Sequence, residues 1–111
     1  MVIKDILSKC STLSVYEERT MTDDYCELVF YRKDIDAWEK NIAEVMDGIL
    51  KPAGTKPARE HLAITRDLGG LWSDQTLFSM SSDGDTFIAM FWPWQDKTHV
   101  TLKITAQRGK A

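Results

Sequence analysis

The stretch TLFSMSSDGDTFIAMFW, residues 76–92, decides the fold of this chain. At its centre lies Asp83-Gly84, a strong signal for a two-residue hairpin, because a type I′ turn needs positive φ at both central residues. The flanking residues alternate between apolar and polar, as strands do when one face is buried. We therefore predict an antiparallel hairpin in which Phe78 lies opposite Ala89.

Three strand-like runs, Leu71–Ser81, Thr86–Trp92 and Thr98–Ala106, predict a C-terminal meander. With Gln95 and Asp96 as the second turn, Phe91 faces Val100, and Trp92 and Met90 lie across from His99 and Thr101. In this register one face of the meander collects the large apolar side chains, and we predict that the central helix packs on it. These side chains are Phe78, Met80, Phe87, Phe91, Val100, Leu102 and Ile104.

The N-terminal third predicts a short amphipathic helix over residues 2–10, followed by a hairpin. The first strand of this hairpin is predicted from Leu13 to about Arg19. Its turn is predicted over Thr20–Asp24, and its second strand over Tyr25–Lys33.

The clearest helix begins at Asp34, whose carboxylate suits an N-cap, and stops before Pro52. Its apolar stripe has helical spacing and consists of Ile35, Trp38, Ile42, Val45 and Ile49. From Ala58 to Leu68 a second helix is favoured, with Gly69 placed as its C′ residue, but a strand stays open as an alternative.

These elements predict an α+β fold in one domain spanning residues 1–111. The order is helix, two strands, one or two helices and three strands. We expect a mainly antiparallel sheet of about five strands with the helices packed on one face.

Composition excludes several classes of protein. The chain has 111 residues, 43% hydrophobic residues and a net charge of −3, which argue against disorder and against general nucleic-acid binding. No apolar run approaches a membrane span or a signal peptide, so we expect a cytoplasmic protein without membrane contact. Two cysteines are too few for a zinc site or a disulfide framework, and we expect no metal and no cofactor.

The face opposite the predicted core is too apolar for solvent and too polar for a core. It presents Leu77, Ile88, Met90 and Trp92 beside Gln75, Ser79, His99, Thr101 and Lys103. We expect part of it to be covered by the N-terminal helix, by a second copy of the chain or by a ligand.

Trp92-Pro93-Trp94 is the most unusual local feature. Rigid aromatic rings beside a turn suit binding of a peptide, a base or a sugar. The alternative is structural, because proline ends a strand and the tryptophans can seal the end of the sheet. The candidate binding residues are Trp92, Trp94, His99, Met90, Leu77 and Trp72.

No catalytic motif surrounds His61 or His99, and the acidic cluster at Glu17, Glu18, Asp23, Asp24 and Glu27 suits a solvated hairpin edge. The leading hypothesis is a small non-enzymatic binding or adaptor protein that binds itself, as a homodimer, or another protein.

Two alternatives stay open. The first is a small-ligand-binding protein or enzyme with a pocket near Trp72, Trp92, Trp94 and His99. The second is single-strand nucleic-acid binding by stacking with Lys103 and Arg108, although nucleic acid is an unlikely partner for so acidic a chain.

Overall fold

A computed structural model describes residues 2–46, 49–66, 69 and 71–109. The helices are α1 (Ile3–Leu7), α2 (Ile35–Val45) and α3 (Arg59–Thr65), with single 3₁₀ turns at Ser8–Cys10 and Arg32–Asp34. The strands are β1 (Glu17–Met21), β2 (Tyr25–Tyr31), β3 (Thr76–Ser82), β4 (Asp85–Pro93) and β5 (His99–Gln107). They form one antiparallel sheet in the order β1-β2-β5-β4-β3, which confirms the α+β class.

The hairpin between β3 and β4 has the predicted turn and register. Asp83 and Gly84 have φ of 51° and 83°, as a type I′ turn requires. Phe78 pairs with Ala89 and the neighbouring pairs follow in step.

The predicted register between β4 and β5 is wrong by two residues. Phe91 lies opposite Leu102 rather than Val100, and Trp92 lies opposite Thr101 rather than His99. The connection is a four-residue loop, because Trp94 N–H donates to the His99 carbonyl at 2.9 Å and Lys97 adopts a φ of 61°. A shift of two residues keeps every side chain on its predicted face, since the side-chain period of a strand is two.

The inner face of the sheet carries the main core, and α1 and α2 cover it. Ile3 and Ile6 of α1 and Trp38 and Ile42 of α2 are buried there against the apolar side chains of β2, β3, β4 and β5. Phe30 stacks on Trp38 with 4.7 Å between ring centroids. The prediction that the central helix, α2, packs on this face of the sheet is confirmed.

The outer face has a second, smaller core under α3. Leu77, Ile88 and Met90 are fully buried, Leu71 is 6% exposed beside them, and Ile64 of α3 packs against this cluster. The cover is therefore the chain's own segment between α2 and β3, which was not among the three predicted covers. The prediction that all the helices pack on one face is therefore wrong. Helices α1 and α2 lie on the inner face, and α3 lies on the outer face.

Several predicted boundaries move. The first strand is Glu17–Met21 rather than residues 13–19, because the turn is set by the Thr22 hydroxyl, which accepts from Tyr25 N–H at 2.9 Å. Helix α2 ends at Val45, so Ile49 is 49% exposed instead of extending the apolar stripe.

Two predictions concern helix ends. Asp34 is the N-cap residue of α2, but its side chain makes no capping hydrogen bond, because a 3₁₀ turn already gives it φ −101° and ψ 6°. Residues 59–65 are helical, as favoured, and the predicted end at Leu68 lies outside the described residues.

Candidate functional site

Pro93 lies at the centre of the candidate site. It is the last residue of β4, where a missing N–H costs no interior ladder bond, and Trp92 and Trp94 flank it on the outer face. The Trp94 indole donates through Nε1 to the Thr101 hydroxyl at 2.7 Å. The Arg19 guanidinium lies 5.5 Å from the centroid of the same ring.

Trp92 is held between two neighbours. The Lys103 ammonium lies 4.0 Å from the ring centroid, within the range of a cation–π contact. Gly69 approaches the ring so closely that a Cβ there would lie 2.8 Å from the Cη2 atom of Trp92. The ring therefore closes the end of the outer core and also forms one wall of the neighbouring cleft.

His99 is surrounded by aromatic rings. The centroids of Tyr16, Trp94 and Tyr31 lie 4.5, 4.9 and 5.5 Å from that of the imidazole, whose side chain is 17% exposed. Its Nδ1 lies 2.6 Å from Oδ2 of Asp96. An imidazole packed and hydrogen-bonded in this way orders the loop between β4 and β5.

Asp96 organises the same loop. Its Oδ1 accepts from the Thr98 N–H at 2.8 Å and from the His99 N–H at 3.1 Å. These hydrogen bonds stabilise the carboxylate, the Thr98 bond most strongly, and lower the pKa of Asp96. The four-residue loop is therefore a capped structure rather than a flexible connection.

A cleft of about 440 Å³ lies beside Trp92, and we call it the tryptophan cleft. Its volume falls in the range of small-molecule sites. The exposed ring of Trp72 lines it, and so do Asp74, Gln75, Trp92, Pro93 and Gln95.

Trp72 is 66% exposed, although the turn that carries it is well anchored. The backbone N–H of Trp72 donates to Oε1 of Gln75 at 2.9 Å, and the backbone N–H of Gln75 donates back to the Trp72 carbonyl at 3.1 Å. Gln75 itself is 4% exposed. A fixed turn therefore holds a large apolar ring in solvent.

Lys51 anchors this turn and was not among the predicted site residues. It is 1% exposed, and its ammonium donates to the carbonyls of Gln75, Pro52 and Ser73 at 2.6, 3.0 and 3.1 Å. Burial lowers the pKa of Lys51, and Asp74 opposes that shift. No local pattern announces this role, because two of the acceptors are more than twenty residues away in sequence.

Two smaller clefts continue from the tryptophan cleft. One of about 290 Å³ shares Asp74, Pro93 and Gln95 with it and adds Trp94, Arg32 and Lys97. The next, of about 170 Å³, shares Arg32 and Lys97 with the second and adds Tyr31, Lys33 and Thr98. The end of the sheet near Pro93 is thus a continuous row of depressions.

The predicted site residues separate into two groups. Trp72 and Trp92 line one cleft, Trp94 lines the adjoining cleft, and His99 packs against Trp94. Leu77 and Met90 are fully buried beneath α3 and do not reach this surface.

The remaining reactive groups have structural surroundings. Nδ1 of His61 accepts from the Ala58 N–H at 3.1 Å, at the start of α3. Burial raises the pKa of the Cys10 thiol to about 11 and that of Cys26 to about 12, which suppresses their thiolates. Within the described part of the chain, no group of three or more His, Cys, Asp or Glu residues is placed to hold a metal ion.

Arg108 lies at the far end of β5 from His99. It bonds Asp24 at 2.8 Å and Asp85 at 2.9 Å, while Lys103 lies over Trp92. The two cations considered for nucleic-acid stacking therefore do not converge on one aromatic surface. Among the helices of the described residues, none is long and apolar enough to cross a membrane.

Comparisons of the chain with protein-family models, with curated proteins and with solved structures found no match. The geometry of the clefts is therefore the ground for the functional proposal.

Proposed function

We propose that this protein is a binding module rather than an enzyme, and that the tryptophan cleft is its binding site. The observation that carries the proposal is the exposure of Trp72, at 66%, on a turn fixed by Lys51 and Gln75 beside a cleft of about 440 Å³. Tryptophan is among the residue types enriched at the energetic hot spots of binding interfaces.

The cleft is built like a ligand site. Two indole rings and a proline supply apolar walls, while the Asp74 carboxylate and the Gln95 amide supply polar groups. Sites of this composition use apolar area for affinity and a few polar groups for orientation. Since Gln75 and Lys51 already hold the Trp72 turn, binding of a ligand requires little further ordering of the chain and so costs little conformational entropy.

Catalysis is the weaker reading because the titratable groups have other partners. Each histidine uses Nδ1 in a hydrogen bond with a residue three positions before it in the chain, and both thiols are buried. The neighbourhood of the cleft holds no nucleophile hydrogen-bonded to a base among the described contacts.

The test is a fragment screen on uniformly ¹⁵N-labelled protein that follows the indole N–H signals of the four tryptophans. Binding fragments should shift the signals of Trp72 and Trp92 and leave that of the buried Trp38 in place. Trp72→Ala should abolish binding, while Val15→Ala, which trims a 46% exposed apolar side chain in a separate depression beside Leu7 and Trp38, should preserve it. A broad library that shifts neither cleft signal, or binders unaffected by Trp72→Ala, would refute the proposal.

A second copy of the chain is a further candidate partner. Ile49 and Leu50 are 49% and 45% exposed beside the edge strand β3, where the Leu50 N–H donates to the Leu77 carbonyl at 2.9 Å. Exposed aliphatic side chains next to a sheet edge favour self-association. Light scattering should then give twice the monomer mass, and Leu50→Lys should halve it. A monomer at high micromolar concentration would remove this candidate.

A further inference from the structure

We infer that the tryptophan cleft binds a positively charged organic group, an alkylammonium or a guanidinium. The inference rests on the proposed function and adds the class of ligand. Its basis is the juxtaposition of the Trp72 and Trp92 rings with the carboxylate of Asp74. Indole faces attract cations through the ring quadrupole, more strongly than other aromatic side chains.

The charge of the lining favours a cation. Among the described residues that line the cleft, Asp74 is the one charged side chain, so the lining carries a charge of −1. The whole chain has the same sign, with a net charge of −3. An anionic ligand would enter against both charges, whereas a cation gains from both.

Two lysines, Lys51 and Lys103, lie near the cleft but outside its lining, and their ammonium groups have different neighbours. The Lys51 ammonium acts on Asp74 from inside the fold, and its three carbonyl acceptors and burial keep it away from the cleft surface. Lys103 lies over Trp92 at 4.0 Å, which shows that this indole accepts a cation on its face in this fold. Trp72, at 66% exposure, offers the larger open indole surface.

Arg32 and Lys97 limit where a cationic ligand can lie. Both line the adjoining cleft, on the far side of Asp74, Pro93 and Gln95. They place positive charge next to the tryptophan cleft but not in its lining. The cation is therefore expected against Trp72, and away from the Trp94 side of Pro93.

The experiment titrates the labelled 111-residue chain with choline chloride and with 3,3-dimethylbutan-1-ol, which has the same shape without the charge. Choline should bind roughly three- to fivefold more tightly, the range for an exposed cation–π contact with a surface carboxylate. The Trp72 indole signal should report both. Raising the sodium chloride concentration should weaken choline and leave the alcohol unchanged, because salt screens the charge.

Two variants and one control isolate the cause. Asp74→Asn should reduce choline affinity about twofold without changing the binding of the alcohol. Trp72→Leu, followed through the indole signal of Trp92, should remove the preference for choline over the alcohol, since it keeps an apolar side chain but removes the ring face. Asp83→Asn removes an equal charge from the opposite end of the sheet, at a turn that asparagine suits, and should have no effect.

The source of the cation is distinguished by comparing arginine amide with acetyl-Gly-Arg-Gly-amide. Tighter binding of the tripeptide supports an arginine or lysine of a partner polypeptide, and equal binding supports a free amine. If the alcohol binds as tightly as choline, or acetate occupies the cleft, the inference fails while the proposed binding site stands. If none of these compounds moves the Trp72 signal, the inference fails, and the broad fragment screen decides separately whether the cleft is a binding site.

Discussion

The two faces of the sheet are covered in different ways. On the inner face, α1 and α2 bury a large set of aromatic and aliphatic side chains, among them Phe30, Trp38 and Phe91. On the outer face, the buried cluster among the described residues is smaller and consists of Leu71, Leu77, Ile88 and Met90.

What secures the outer cover differs as well. The segment that reaches from α2 to β3 is tied down by the Lys51 ammonium and by the contact of Gly69 with Trp92. The inner face therefore depends on apolar area, whereas the outer face depends on a few specific contacts. The outer arrangement leaves Trp72 in solvent, and this is where the binding site is proposed.

The largest effect is expected on the inner face. Trp38→Ala removes a ring that stacks on Phe30 and is 1% exposed, and should cost about 3–5 kcal/mol in the free energy of unfolding measured with urea. Trp38→Phe should cost less, because its Nε1–H has no hydrogen-bond partner among the described residues. Trp72→Ala should change stability by less than about 0.5 kcal/mol. Equal losses for Trp38→Ala and Trp72→Ala would contradict the contrast.

The next largest loss of stability is expected from removing the Lys51 hydrogen bonds that hold the outer segment. Lys51→Met keeps the length of the side chain but takes donors from the Gln75, Pro52 and Ser73 carbonyls, and should cost about 2–3 kcal/mol. Hydrogen exchange of the Leu77 N–H, which donates to the Lys51 carbonyl at 2.9 Å, should accelerate. The matched control is Lys56→Met at an exposed position, where stability should not change. A neutral outcome for Lys51→Met would mean that packing alone holds the segment.

A smaller effect isolates the contact between Gly69 and Trp92. Gly69 and Gly54 both have positive φ, 96° and 86°, but a Cβ at Gly54 would meet nothing within 4 Å. Both alanine variants carry the backbone cost, and Gly69→Ala should lose about 1–2 kcal/mol more because the methyl group meets the ring. Thermal unfolding of the two variants measures this difference. If they unfold alike, the close approach is not what holds Trp92.

The smallest effect is a pH dependence on the inner face. Burial raises the pKa of Glu39 above its ordinary value of 4.5, and a hydrogen bond from the Thr76 hydroxyl, at 3.0 Å, opposes the shift. The pKa of Glu39 is therefore higher in the folded chain than in the unfolded chain. At pH values between the two, the folded chain binds more protons, so the free energy of unfolding falls as pH rises through that window. Urea titrations from pH 4 upward should show this decline.

Two variants sharpen the assignment to Glu39. Glu39→Gln should remove this part of the decline, because the amide does not titrate. Thr76→Val should steepen it, because the opposing hydrogen bond is lost. Parallel pH profiles for wild type and Glu39→Gln would assign the decline to other groups.

Local chemistry predicted most of the sheet correctly. Asp83-Gly84 set the turn and the register of β3 and β4, and alternation placed Phe87 and Leu102 on the same face. The register of β5 could not be predicted in the same way. Lys97 takes a left-handed conformation that its residue type does not announce, and the loop is two residues longer than expected.

The candidate site was predicted only in part. The Trp92-Pro93-Trp94 run and Trp72 lie at the end of the sheet where the two larger clefts are found. Leu77 and Met90 were placed on the correct face, but the chain's own α3 covers them. A face that is half apolar shows that a cover is needed, but alternation does not identify it, because the cover comes from a distant segment.

The sequence by itself determined which residues turn, which pair in the β3–β4 hairpin and which face each side chain takes. These features depend on φ preferences and on a period of two, both of which act between near neighbours. Only the tertiary structure decided that Lys51 is buried, that Leu71 and Ile64 close the outer face, and that Trp72 stands beside Trp92. Each of these depends on contacts between segments brought together by the finished sheet, which no local pattern encodes.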